Sequence, residues 1–147
     1  MELSVQRPGS KIIKGEDELK LIKDYIVELT SNFKNISFSI DTYNSVVADF
    51  ALKNGFNIIN DISSGKYDVR LLDIIKEYQA GYVIMHMQGD PENMQEKPTY
   101  KNVVSSISGF LIQRLRSFTI KILKILLLIL DLVLEKALNT IFRFSTT

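Results

Sequence analysis

Polar residues stand at the ends of three short apolar runs, and their types suit the binding of a flat, nitrogen-rich ligand. Asp41, Asn60 and His86 each follow β-branched or aliphatic residues, where Asp and Asn are otherwise disfavoured. A carboxylate beside a carboxamide offers acceptors and a donor–acceptor pair, which match the polar edge of a nitrogen heterocycle. We expect Ile62, which shares the strand face of Asn60, and Met85 to hold the flat side of such a ring.

Each of these residues also has an ordinary structural interpretation. Asp and Asn are common helix N-caps and turn residues, so Asp41 and Asn60 taken singly fit either role. A lone histidine flanked by methionines is more often a hydrogen-bonded structural residue than a catalytic base, which favours a structural role for His86. Met85 fits core packing equally well, and the Lys and Glu residues of the helices are interpreted as solvated faces.

Helical and strand-like periodicities alternate along the chain, which predicts an α/β fold. The predicted helices are Glu16–Phe33, Val46–Ala51, Leu71–Tyr78 and Val103–Leu115, and the predicted strands are Ile36–Ile40, Phe56–Ile62 and Gly81–Met87. This order favours a parallel sheet with right-handed crossovers, in which the polar strand ends meet at one rim. About three strands are too few to close a (β/α)8 barrel, which needs about 250 residues. The chain is therefore predicted to be a small open domain or part of a larger barrel.

Composition excludes several classes of protein. The chain has 147 residues and a formal net charge of +1, which argues against a nucleic-acid partner or a polybasic membrane anchor. Zero cysteines and one histidine exclude thiolate and multi-histidine metal sites and fit a cytoplasmic location. No signal peptide is predicted at the N-terminus. Lys124 and Asp131 interrupt the aliphatic segment Ile122–Leu134, so no membrane span is expected.

Four motifs, taken in order, resemble those of dihydropteroate synthase, a pterin-binding family of folate biosynthesis. They are Arg7-Pro-Gly-Ser10, Ser39-Ile-Asp-Thr42, Ile58-Ile-Asn-Asp-Ile62 and Met85-His-Met-Gln-Gly-Asp-Pro91 followed by Met94-Gln95. The last motif is the most specific. The resemblance covers Arg7 to about Arg116 and implies a partial (β/α)8 TIM barrel.

The resemblance also implies a reaction and a set of site residues. The reaction condenses 6-hydroxymethyl-7,8-dihydropterin pyrophosphate with p-aminobenzoate to 7,8-dihydropteroate, and Mg2+ assists the loss of pyrophosphate. The positions that match the pterin pocket are Asp41, Asn60, Ile62 and Met85. Asp41 is also the candidate catalytic residue, because its carboxylate can stabilise positive charge that develops on the pterin. Arg7 and Pro8 match the loop on the p-aminobenzoate side.

The chain departs from the family pattern at both ends. Ser4-Val-Gln6 replaces Glu-Ser-Thr, and the asparagine that holds Mg2+ in the family is missing, so no metal ligand is expected in this chain. Residues 1–116 are predicted to form a partial pterin-binding domain, and residues 117–147 a leucine-rich, non-family tail with an apolar helix. Suitable codons for residues 126–136, read in another frame, spell the missing segment Ile-Ile-Asp-Pro-Gly-Phe-Gly-Phe-Gly-Lys, which suggests a frameshift between about Arg116 and Leu126.

Two alternatives to a dihydropteroate synthase-like transferase stay open. The first is an inactive fragment, truncated at both ends, which binds pterin weakly or self-associates through open sheet edges. The second is a relative that binds methyltetrahydrofolate, because such proteins share the Asp and Asn strand ends. The Met94-Gln95 motif argues against this second alternative.

Overall fold

A computed structural model describes residues 13–86, 101–117 and 126–129. The helices are α1 (Gly15–Asn32), α2 (Ser45–Lys53), α3 (Leu71–Tyr78) and α4 (Val103–Ser117), and the strands are β1 (Ser39–Asp41), β2 (Ile58–Asp61), β3 (Gly81–Met85) and β4 (Leu126–Ile129). The four described strands form one sheet in the order β1-β2-β3-β4, and all neighbouring pairs are parallel. The predicted α/β fold with parallel strands is confirmed.

Helices cover one face of the sheet and form the main core there. Ile40, Ile59 and Tyr82 are register partners on β1, β2 and β3, and their side chains belong to this core. The apolar faces of the helices complete it with Ile22, Ile26, Val47, Ala48, Ala51, Leu71 and Ile75. Because side chains alternate along a strand, the residues next to these core positions lie on the opposite face of the sheet.

The first helices begin and end where local chemistry favours it. Glu16, Asp17 and Glu18 lie in the first turn of α1, where negative charge complements the helix dipole. Helix α2 ends in a Schellman motif, in which Phe56 N–H donates to the carbonyl of Ala51. Gly55 has the left-handed φ of +102° that this motif needs.

Helix α3 ends on a non-glycine residue in the left-handed region. Gln79 has a φ of +50°, and the N–H of Ala80 donates to the carbonyl of Ile75. Because a side chain is strained in this conformation, we expect Gln79→Gly to raise the free energy of unfolding by about 1 kcal/mol in urea denaturation. The matched control is Glu77→Gly, which places glycine inside the same helix and is expected to lower stability by about 1 kcal/mol. Equal effects of both variants would contradict this account.

The described part of the C-terminal tail is a strand, so the predicted apolar helix is wrong there. Leu126–Ile129 forms β4, which pairs in parallel with β3 through the register Tyr82↔Leu126 to Met85↔Ile129. A short aliphatic run has no alternation that separates a buried helix from a buried strand. Strands of parallel sheets are typically continuous apolar runs, and the edge of β3 provides the partner that sequence periodicity does not show.

Strand β1 also starts later than predicted. The sequence alternation predicts a strand over Ile36–Ile40, whereas the ladder begins at Ser39, and Ile36 is 55% exposed.

The part of the chain that the structure describes contains no helix that is both long and apolar enough to cross a membrane.

Candidate functional site

Asp41 and Asn60 lie side by side on the face of the sheet opposite the helices. They are direct register partners on β1 and β2, and the side-chain amide of Asn60 donates to Asp41 Oδ1 at 2.8 Å. Asp41 is the last residue of β1 and Asn60 the next-to-last residue of β2, so both lie near the carboxyl ends of their strands, where parallel sheets bind ligands. Asp41 is exposed and Asn60 is half-buried, so an incoming ligand can reach the pair.

An apolar wall lies beyond this polar pair on the same face. Ile62 and Met85 are buried in one cluster with Tyr43, and Tyr67 packs against that cluster. The Tyr43 and Tyr67 rings meet edge to face, with their centroids 5.3 Å apart. Met85 is two residues beyond Val83, the register partner of Asn60. The structure therefore places the four predicted pterin-side residues on one face of the sheet, with the polar pair next to a buried apolar cluster.

The two residues predicted for the p-aminobenzoate side, Arg7 and Pro8, lie outside the described residues. Most of the specific motif after His86 also lies outside them. His86 itself packs edge to face against Phe110, with the ring centroids 4.8 Å apart. Burial lowers the pKa of His86, which favours the neutral imidazole and fits the structural interpretation of this residue.

Asp61 faces away from Asp41 and organises the turn after β2. It is fully buried and accepts hydrogen bonds from Ser63 N–H at 2.7 Å, Gly65 N–H at 2.6 Å and the Tyr82 hydroxyl at 2.8 Å. Ser64 and Gly65 adopt left-handed φ angles of +53° and +79° in this turn. Burial raises the pKa of the Tyr82 hydroxyl, and the adjacent Asp61 carboxylate raises it further, so Tyr82 stays a hydrogen-bond donor.

The turn is also tied to β3. The Ser64 hydroxyl donates to the backbone carbonyl of Met85 at 2.7 Å, in a buried contact. Asp61 and Ser64 together fix the backbone on both sides of Ile62, and this places its side chain in the cluster with Met85. This role of Asp61 is not predicted by the sequence motifs. The available signal was the alternation of side chains, which puts neighbouring residues Asn60 and Asp61 on opposite faces.

Glu18 is buried, which corrects its interpretation as part of a solvated face. It is 2% exposed, and its carboxylate accepts hydrogen bonds from the Thr42 hydroxyl and the Asn44 side-chain amide. Burial raises the pKa of Glu18, and the two hydrogen bonds oppose that shift without cancelling it. The signal for burial was its i, i+4, i+8 spacing with Ile22 and Ile26, which are core residues of the same helix.

Asp68 connects the loops that follow β1 and β2. Its carboxylate accepts a hydrogen bond from Ser45 N–H, the first residue of α2, at 2.8 Å, and one from Arg70 N–H at 3.0 Å. Burial acts to raise the pKa of Asp68, but the hydrogen bonds from Ser45 and Arg70 outweigh it, and the pKa lies below 3.8. Asp68 thus caps a helix from a neighbouring loop.

Replacement of Asp68 is expected to remove a stabilising contribution that depends on pH. Since the folded-state pKa is lowered, the unfolded chain binds more protons in acid, and the contribution is present above pH 3.8 and lost as pH falls through the folded pKa. We expect Asp68→Asn to cost about 1 kcal/mol near pH 7 and to have little effect in strong acid. Urea denaturation at several pH values measures this difference.

Glu18→Gln is the matched control for this experiment because the pKa of Glu18 is shifted the other way. The folded state holds the Glu18 proton to higher pH than the unfolded chain, so the contribution of Glu18 falls as pH rises above 4.5. Stability differences that follow the same pH trend for both variants would contradict the assigned hydrogen bonds of Asp68.

The described residues therefore form a parallel α/β sheet with a polar pair and an apolar cluster near the carboxyl ends of its strands. Residues 3–138 match the family model for pterin binding enzymes, and the chain belongs to this family.

Individual relatives agree with the family match. The chain is 34% identical to the bifunctional dihydropteroate synthase/dihydropteroate reductase of Helicobacter pylori over 111 residues. This match covers 74% of this chain and 29% of that protein. The structure is similar to Yersinia pestis dihydropteroate synthase in a sulfonamide drug complex, with a TM-score of 0.73 and 29% identity over 84% of this chain and 44% of the other.

A second solved structure gives the same coverage. Xanthomonas albilineans dihydropteroate synthase with 4-aminobenzoic acid matches with a TM-score of 0.70 and 27% identity, over 83% of this chain and 42% of the other. The chain thus spans less than half of the relatives that it matches. The predicted partial (β/α)8 barrel is confirmed by this coverage, since these relatives are complete barrels.

Proposed function

We propose that this chain binds a pterin on the face of the sheet that carries Asp41 and Asn60 and acts as a dihydropteroate synthase-type transferase of folate biosynthesis. The observation that carries the proposal is the contact between Asn60 and Asp41 beside the apolar wall of Ile62 and Met85. Asp41 Oδ2 and the Asn60 carbonyl oxygen are acceptors for the N–H groups of a pterin edge, and the flat ring lies against Met85 and Ile62.

The same residues supply part of the chemistry of the proposed reaction. Loss of pyrophosphate from the dihydropterin leaves positive charge on its methylene group and ring, and the amine nitrogen of p-aminobenzoate attacks that carbon. A preorganised carboxylate such as Asp41 stabilises this charge as it develops. Arg7 and Pro8 are proposed to border the p-aminobenzoate side.

Mg2+ belongs to this reaction by family resemblance, and the described residues do not fit it. Residues 13–86, 101–117 and 126–129 contain no group of three or more His, Cys, Asp or Glu side chains placed to hold a metal ion. Asp41 stands as a single carboxylate next to an amide, which is a poor Mg2+ site because this ion prefers several oxygen ligands in octahedral geometry. No step of the proposed chemistry at Asp41 runs through a metal.

The test of the proposed function is turnover by the purified chain. The chain is incubated with 6-hydroxymethyl-7,8-dihydropterin pyrophosphate, p-aminobenzoate and Mg2+, and 7,8-dihydropteroate is measured by mass spectrometry. We expect product with the wild-type chain and loss of product with Asp41→Asn. Asp24→Asn is the matched control, because it removes the same charge from an exposed position on α1. An equal amount of 7,8-dihydropteroate from Asp41→Asn and from the wild-type chain would contradict the catalytic role of Asp41.

A second candidate function is pterin binding without turnover, as an inactive truncated fragment. The observation that favours it is coverage, since the chain spans 29% of the Helicobacter relative and 44% of the Yersinia structure. Titration with 6-hydroxymethylpterin, followed by the fluorescence of the ligand, separates the two candidates. Binding with no 7,8-dihydropteroate formed supports the second function, whereas product formation supports the first.

Self-association is a further proposal, and its partner is a second copy of this chain. Within the described residues β1 pairs with β2 alone, and apolar side chains are exposed on and after α1, among them Leu21, Tyr25 and Ile36. An unpaired strand edge and exposed apolar surface both favour association. We expect Tyr25→Lys to shift sedimentation towards the monomer. An unchanged sedimentation profile would place the contact elsewhere.

The division at residue 116, the frameshifted origin of the tail and the cytoplasmic location are also proposals. The family match reaches residue 138, beyond the proposed division, and Leu126–Ile129 forms the next parallel strand instead of the predicted helix. The codons between Arg116 and Lys136 test the frameshift, because codons that do not spell the family segment in another frame exclude it. Cell fractionation with an antibody to the chain tests the location.

A further inference from the structure

The three residues after Asp41 direct their side chains to two different parts of the protein. The Thr42 and Asn44 side chains donate hydrogen bonds to Glu18. Tyr43, between them, is buried in the cluster with Met85 on the site side. The orientation of Tyr43 towards the site therefore follows from the anchoring of its two neighbours on the other side.

This loop is held tightly at Thr42. Its side chain is fully buried, and its hydroxyl donates to Glu18 Oε2 at 3.2 Å while accepting from Asn44 N–H at 3.1 Å. The N–H of Thr42 continues the ladder to the carbonyl of Asn60 at 3.0 Å. Asp41 thus contacts Asn60 through its side chain, and the loop that follows it is held by two hydrogen bonds to Glu18 Oε2.

Packing brings the start of α1 against the same loop. A Cβ added to Gly15 would lie 3.2 Å from Asn44 Cβ and 3.5 Å from Val46 Cβ, which is tighter than ordinary contact for the first of these atoms. Glu18 is in the first turn of α1, directly after the segment that contains Arg7 and Pro8. The contact therefore joins the beginning of α1 to the end of β1.

Packing alone does not explain a glutamate at the buried position 18. A buried carboxylate loses its hydration, and this costs free energy that hydrogen bonds or a cation must offset. Both donors that the structure gives it are neutral, and both belong to the loop that follows Asp41. A leucine would fill this position on the core-facing stripe of α1 without that cost. The Glu18 carboxylate therefore fixes the position of this loop rather than stabilising the core.

We propose that Glu18 is a positioning residue that fixes Asp41 and Tyr43 in the pterin site by anchoring Thr42 and Asn44 to the start of α1. The inference about pterin binding rests on the proposed function. The inference about geometry concerns the free protein, and it has its own readout.

The experiment compares Glu18→Ala, Glu18→Gln and Ile22→Ala. Glutamine keeps an acceptor oxygen for Thr42 and Asn44, whereas alanine removes it. Ile22→Ala removes a core contact from the same helix and leaves both hydrogen bonds in place. The first readout, without ligand, is the pair of side-chain amide NMR signals of Asn60. The second is the affinity for 6-hydroxymethylpterin, measured by ligand fluorescence.

We expect Glu18→Ala to shift the Asn60 signals and to weaken pterin affinity about tenfold, because a small displacement of site groups has a large effect on binding. Glu18→Gln and Ile22→Ala are expected to keep the Asn60 signals and an affinity within about twofold of wild type. Thr42→Val, which removes the anchored hydroxyl, is expected to shift the same signals and serves if Glu18→Ala does not fold.

The outcomes separate this inference from the proposed function. Unchanged Asn60 signals in folded Glu18→Ala or Thr42→Val would overturn it, and so would equal loss of affinity in Glu18→Ala and Ile22→Ala. If the wild-type chain does not bind 6-hydroxymethylpterin, the proposed function fails. The Asn60 signals then still decide whether Glu18 positions Asp41, through the contact that joins these two side chains.

Discussion

Replacing Asp41 by alanine is expected to weaken the binding of 6-hydroxymethylpterin by about 30-fold, which corresponds to about 2 kcal/mol. The variant removes an exposed carboxylate whose Oδ1 accepts a hydrogen bond from Asn60 and whose Oδ2 is a second acceptor on the same face of the sheet. A hydrogen bond to a charged group contributes more than one between neutral groups. Ligand fluorescence titration measures the change in affinity, and circular dichroism checks that the variant stays folded.

Asp41→Asn separates charge from shape at the same position. Asparagine keeps an acceptor for the Asn60 amide, so we expect pterin affinity to fall less than in Asp41→Ala. In an enzyme that completes the barrel, the same change is expected to lower turnover more than substrate binding, because the charge stabilises the transition state. Equal kinetics of Asp41→Asn and wild type would refute the catalytic assignment. Asp24→Asn controls for the loss of one charge.

Asp61→Ala is expected to lower the free energy of unfolding by about 3–4 kcal/mol. The variant leaves the Tyr82 hydroxyl and the N–H groups of Ser63 and Gly65 without their acceptor, and each unsatisfied buried donor costs about 1 kcal/mol or more. Small domains are stable by only about 5–15 kcal/mol, so this loss is large. Urea denaturation measures it.

A double-mutant cycle with Tyr82→Phe tests the origin of this effect. Tyr82→Phe removes one donor and is expected to cost about 1 kcal/mol. The double variant is expected to cost less than the sum of the two single variants, because the hydroxyl that Asp61→Ala leaves unsatisfied is then absent. Additive costs would contradict a direct contact between Tyr82 and Asp61, which the structure places at 2.8 Å.

The neighbouring positions of Asp41 and Asn60 follow from the sequence, since both lie near the carboxyl ends of short strands in one parallel sheet. Alternation along the strands then assigns Ile62 to the same face as Asn60. The resemblance to dihydropteroate synthase adds Met85, which the structure places in the cluster with Ile62. The adjacency of these residues follows because the order of parallel strands and the alternation of side chains fix which positions share one face of the sheet.

The supporting contacts around the site do not follow from the sequence in the same way. Glu18 meets Thr42 across 24 residues, and Asp68 meets Ser45 across 23. Such pairs depend on how one loop packs against another element, and local pattern contains little of that information. Strand β4 is a similar case, because a run of aliphatic residues becomes a strand only where a sheet edge is available to it.

The most direct test of the central claim is a titration of the isotope-labelled chain with 6-hydroxymethylpterin, followed by NMR. We predict saturable shifts of the Asn60 side-chain amide and of the methyl groups of Ile62 and Met85, which lie in the buried cluster on the same face of the sheet. The methyl groups of Leu71 and Ile75, in the core on the helix side, are predicted to stay in place. Shifts confined to Leu71 and Ile75, or none at saturating pterin, would contradict a pterin site on this face.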